Sequence, residues 1–136
     1  MSKILIDAVR WPLVVVTWPE DGVTDADLES FLAESFVLVQ RGRHGVLHMG
    51  IRASGLDSRQ RRQVALHMKT HDRELKASIA ATAIVAQSAV VFGMITAIGW
   101  LAPPSFPQRA FRARGDAEAW LLEMLAAAAT QRTSER

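Results

Sequence analysis

Two histidines four residues apart, His67 and His71, are the side chains of this sequence best spaced for chemistry. On a helix, positions i and i+4 share a face, so such a pair is placed to chelate one metal ion. The hydrolytic zinc pattern H-E-x-x-H wants a glutamate directly after the first histidine. Met68 stands there, so no general base is supplied. His71 also falls on the apolar line of Met68 and Leu75, which suits a semi-buried structural histidine. His44 and His48 belong to a loop and a strand and add no recognisable ligand spacing. Cysteine is absent, which excludes disulfides, thiolate zinc sites and a thiol nucleophile. No G-x-G-x-x-G, P-loop or G-x-S-x-G pattern occurs. The acidic residues mostly begin helices, where capping accounts for them. The chain is therefore read as non-enzymatic, with no catalytic residue, metal or cofactor.

Binding candidates lie at the carboxyl ends of the expected strands, where ligands of open parallel sheets collect. Those ends offer Ser54 and the pair Gln87-Ser88 as a ligand or anion site. Free N–H groups at a helix start near Ser88 would face an anion. The plain alternative is that Ser54 and Ser88 cap helices.

The elements that must position these residues follow from the hydropathy pattern. Residues 3–8 and 12–18 read as a strand hairpin joined through Val9, Arg10 and Trp11. Leu13 to Val16 is a continuous apolar run, expected to be buried on both faces. Thr24 opens a helix, with Asp27 three residues on in the manner of a capping box. Leu28, Phe31, Leu32, Phe36 and Val39 form its apolar face, and Gly42 ends it. Residues 45–51 read as the third strand. A second helix starts at Asp57 or Ser58 and runs to about Lys76, with Val64, Met68 and Leu75 inward.

Between Lys76 and Arg109 there is no charged residue. The window supplies the roughly 20 apolar residues of a membrane span, but Gln87-Ser88 divides it. Residues 79–86 then read as a buried strand and residues 89–101 as a helix stopped by Pro103-Pro104. Residues 110–113 form a short last strand. Asp116 caps a final helix bearing Trp120, Leu121 and Met124, and residues 130–136 read as a flexible tail. The order is ββαβαβαβα. It predicts one α/β domain over residues 1–129, with a mostly parallel sheet, an antiparallel edge strand and packed helices. No membrane span is expected.

This order resembles the SpoIIAA-like (STAS-type) bacterial domains. The resemblance covers residues 3–129. It rests on the initial hairpin, on the apolar strand followed by Gln87-Ser88 and a helix, and on the ending Phe111 to Leu121, FRARGDAEAWL. It implies a non-enzymatic regulatory or adaptor module. The family's phosphoserine lies in a D-S-S-G-L type segment, where this chain has Arg52-Ala53-Ser54-Gly55-Leu56. Ser-Gly-Leu matches, but Arg52 replaces the acid and Ala53 the acceptor, so Ser54 is not expected to act as that switch.

The net charge is +2, and thirteen of the sixteen basic residues are Arg. The cluster Arg59, Arg61 and Arg62 falls on the solvated side of the second helix, not on a concentrated basic face, so nucleic acid is not an expected partner. Only three apolar residues separate Lys3 from Asp7, which does not make a signal peptide and points to the cytoplasm. The helix over residues 89–101 has no polar stripe, which makes Phe92, Ile95 and Trp100 the expected interaction surface, most simply of a homodimer. A second function is a carrier of a lipid or apolar metabolite in a pocket near this helix; a third is an enzyme at the strand ends. A pocket of roughly 300 Å3 or more favours the carrier, a flat apolar face the adaptor, and convergent carboxylates and histidines the enzyme.

Overall fold

The two continuous apolar runs form interior strands on either side of the central strand of a sheet. Leu13–Thr17 is β2 and Ile79–Val85 is β4, every residue of β4 being buried. A computed structural model describes residues 4–51, 56–86, 88–101 and 103–134, with side chains except at 99–101 and 132–134. The remaining strands are β1 (Leu5–Asp7), β3 (His44–Met49) and β5 (Gln108–Phe111), in the spatial order β1-β2-β3-β4-β5. β1 is antiparallel to β2; every other pair is parallel. The expected α/β architecture is thus present, with its antiparallel edge.

Local chemistry accounts for the helix starts. For α1 (Asp25–Arg41), Thr24 and Asp27 form a reciprocal capping box. For α2 (Ser58–Thr70), Asp57 and Gln60 do the same. Gln60 is buried and also donates from Nε2 to the Val23 carbonyl at 2.7 Å, which ties this helix start to that of α1. Ser88 caps α4 (Ala89–Leu101), its Oγ accepting from the Val91 amide at 3.2 Å.

Several details differ from the sequence expectation. His44, expected in a loop, begins β3, and β5 lies at Gln108–Phe111 instead of residues 110–113. The second helix is two: α2 stops at Thr70 and α3 (Asp72–Ser78) begins after His71, whose backbone leaves the helical region. The last helix, α5 (Arg114–Ser134), begins before Asp116, which sits in its first turn instead of capping it. There, Arg114 and Glu118 pair at 2.9 Å one turn apart. Residues 130–134, expected to be a tail, continue α5.

The two faces of the sheet are built differently. On one, α5 packs closely against β3 and β4 because Gly45, Ala81 and Ala83 leave room for it. A Cβ at Gly45 would meet Leu121 Cδ2 at 3.4 Å and Leu125 Cδ1 at 3.5 Å. On the other face lie α1, α2 and α4, which approach the strands much less closely. Val14, Val16, Ile84, Phe31, Val91 and Met94 meet there in the larger core cluster. Among the described residues, no helix is long and apolar enough to cross a membrane.

Candidate functional site

Because a strand alternates its side chains, β3 turns Gly45, Leu47 and Met49 toward α5 and His44, Val46 and His48 toward the opposite helices. Those helices stand off the sheet, and the space beneath them is not filled. It forms a cavity of about 190 Å3. Val14 and Val16 of β2, Val46 of β3 and Thr82 and Ile84 of β4 make its floor. Phe31, Leu32 and Leu38 of α1, Val64 and Met68 of α2, and Met94, Ile95 and Ile98 of α4 make its cover. No Lys, Arg, Asp or Glu lines it among the described residues. Its polar lining consists of His44, His48, His67, Ser35, Thr82, Gln108 and the Trp18 indole.

Burial favours the neutral form of the three histidines that line the cavity. Burial pushes the His48 imidazole down to about 4. His44 is lowered mainly by burial, against an opposing hydrogen bond to Gly42. His67 is lowered by burial and by the neighbouring His71. Their hydrogen bonds also fix two tautomers. The Trp18 Nε1–H can only donate, and it meets Nδ1 of His48 at 3.0 Å. Nδ1 of His48 is therefore the acceptor, and the ring proton sits on Nε2. At His44 the assignment reverses: Nδ1 lies 2.8 Å from the Gly42 carbonyl oxygen and must donate to it. Around these rings, Trp18, Phe31 and His48 form an aromatic cluster with centroids 5.1 to 6.5 Å apart. At the other end of β3, His44 stacks on Trp11 at 5.1 Å, and the Arg41 guanidinium lies over the Trp11 ring, 4.2 Å from its centroid.

The residues singled out in the sequence fall in different places. His67 and His71 are adjacent, with ring centroids 4.7 Å apart, and His71 packs on Phe36 at 4.4 Å. No group of three or more metal-ligating side chains exists among the described residues, so the pair has no third ligand there. Ser54 and Gln87 lie outside the described residues, as does the Trp100 side chain. Ser88 uses its hydroxyl oxygen as the α4 cap. Phe92 and Ile95 point different ways: Phe92 is exposed, whereas Ile95 lines the cavity.

His48 and Trp18 are the pair that the sequence did not single out. Their contact joins residues thirty positions apart. One signal was available for the histidines: the separation of four between His44 and His48 is even, which on a strand means one face. Compared with known proteins, the chain matches no family model, no curated protein and no solved structure.

Proposed function

We propose that this protein binds a small apolar molecule in the cavity between the sheet and helices α1, α2 and α4, and acts as its carrier. The observation that carries this reading is the cavity itself, apolar in most of its lining with a few placed polar groups, as ligand sites are. Its volume of about 190 Å3 falls short of the roughly 300 Å3 expected for a drug-sized ligand. It exceeds the roughly 150 Å3 apolar cavity that suffices to bind benzene. The ligand is accordingly small, about the size of a bicyclic aromatic or a short aliphatic chain. Among the described residues, no carboxylate lines the cavity beside the histidines. Solvent extraction of natively purified protein, followed by mass spectrometry, is expected to release a stoichiometric apolar compound. Protein that is empty and also fails to take up small hydrocarbons would contradict the reading.

A second reading rests on α4. Val90 is 66 % and Phe92 38 % exposed on a helix without a charged residue. Exposed apolar surface of this kind marks contact sites. The regulatory or adaptor role, with a homodimer through α4, is supported by these residues and by the SpoIIAA-like order of elements. Phe92→Glu is expected to turn a dimer into a folded monomer in sedimentation experiments. A wild type that is monomeric at high concentration would remove this reading.

A further inference from the structure

We infer that the cavity selects an uncharged ligand bearing an oxygen acceptor, a carbonyl in the simplest case, which accepts a hydrogen bond from Nε2–H of His48. The inference rests on the cavity reading above and adds the polarity of its occupant. Three observations carry it. First, Trp18 fixes the tautomer: its Nε1–H donates to Nδ1 of His48 at 3.0 Å, so Nε2 must hold the proton of the neutral ring. Second, no described residue accepts from that Nε2–H, while His48 is half-buried as a residue and borders the cavity. Third, no charged side chain lines the cavity among the described residues, so a carboxylate or ammonium ligand would enter without a counter-charge.

Among the described residues, no other polar group of the lining is held as a free donor: the Gln108 amide offers both a donor and an acceptor, and no described hydrogen bond fixes the His67 tautomer. The hydroxyls of Ser35 and Thr82 each donate or accept by rotation and suit either partner. His44 has its Nδ1–H engaged by the Gly42 carbonyl, which leaves only an acceptor on that ring. His48 is thus the cavity histidine held as a donor by its own hydrogen bond. An unmatched donor in an apolar cavity is costly, which makes the preference a penalty on hydrocarbons as well as a gain for carbonyls.

The test compares two probes of one shape, 2-acetylnaphthalene and 2-isopropenylnaphthalene, which differ by a carbonyl oxygen against a methylene. Their dissociation constants are measured by calorimetry on the wild type, on His48→Phe and on Trp18→Phe. The wild type is expected to bind the ketone roughly three- to tenfold more tightly than the hydrocarbon, the range of one net hydrogen bond. His48→Phe is expected to erase that preference while still binding the hydrocarbon. Trp18→Phe, which frees the tautomer, is expected to shrink it. Nitrogen-15 spectra of the wild-type imidazoles give an independent reading should either variant fail to fold. They are expected to show His48 protonated at Nε2, with that resonance moved by the ketone and not by the hydrocarbon. Equal binding of both probes, or an unmoved His48 resonance, would overturn the carbonyl preference and leave the cavity reading standing. Binding of neither probe would overturn both.

Discussion

The indole of Trp18 and the imidazole of His48 are joined by a 3.0 Å hydrogen bond that links the carboxyl ends of two neighbouring parallel strands. The bond needs a neutral ring, because a protonated imidazole has no acceptor to offer the indole. It therefore couples the pH of the medium to the stability of the fold.

The direction of that coupling follows from the His48 imidazole, which burial lowers from 6.5 to about 4. Between these two values the unfolded chain binds a proton that the folded protein does not. Stability is therefore full above about pH 6.5 and falls as the pH drops toward 4, by roughly 3 kcal/mol for this residue. His44 and His67 are lowered by burial as well and act in the same direction. Asp25, held down by its hydrogen bond from Arg59, and Glu118, held down by Arg114, lose their contributions only at more acid pH. Urea unfolding at several pH values is expected to show this slope, and His48→Phe is expected to flatten much of it. A midpoint unchanged from pH 7 to pH 4.5 would contradict it.

Leu121 is the anchor of α5. It is 0 % exposed and packs on the small residues of β3 and β4. Leu121→Ala is expected to cost about 2–5 kcal/mol, a large part of the stability of a domain this size. Trp120 is only partly buried and packs on Phe111 at 5.6 Å. Trp120→Ala is expected to cost less than Leu121→Ala, an order that thermal melts of the two variants will decide.

Gly50 lies directly beyond β3 with φ 78°, and a Cβ there would come within 3.0 Å of the Trp18 carbonyl oxygen. A side chain at this position meets both an unfavourable backbone region and a backbone atom that cannot step aside. Gly50→Ala is expected to destabilise the protein by about 1–3 kcal/mol. It is also expected to loosen the Trp18–His48 contact, visible as a change in Trp fluorescence. An unchanged melting temperature would show that the turn relaxes freely.

Phe92 and Ile95 separate the two sides of α4. A charge at Ile95 would stand unpaired in the cavity, whereas one at Phe92 would reach water. Ile95→Glu is expected to lower the melting temperature by ten degrees or more on the order of, and Phe92→Glu by only a degree or two on the order of. Equal effects would mean that α4 is turned differently about its axis.

Much of the fold was legible because its signals are local. The apolar runs of β2 and β4, the capping box at Thr24 and the Ser88 cap each depend on neighbours in sequence. The split of the uncharged window at Gln87-Ser88 into β4 and α4 was legible for the same reason. The break at His71 was not, since neither Gly nor Pro marks it. The cavity was anticipated only as an alternative near the uncharged helix. Its existence depends on how far α1, α2 and α4 stand from the sheet, and no periodicity encodes that distance. The role of His48 was hidden for a related reason. It is set by Trp18, just past the end of β2, and the even spacing from His44 gives the shared face but not the partner.

The central claim is that the cavity is a binding site, and Val46 allows it to be closed. Val46 lies on β3 between the two histidines and lines the floor. Val46→Phe is expected to fill part of the space and leave the fold intact, as judged by circular dichroism. Titration with naphthalene, followed by calorimetry, tests the claim most directly. Saturable binding of one naphthalene per wild-type chain, weakened at least tenfold on the order of in folded Val46→Phe, is the predicted result. Folded wild-type protein that shows no saturable uptake, or uptake identical in the two proteins, would contradict it.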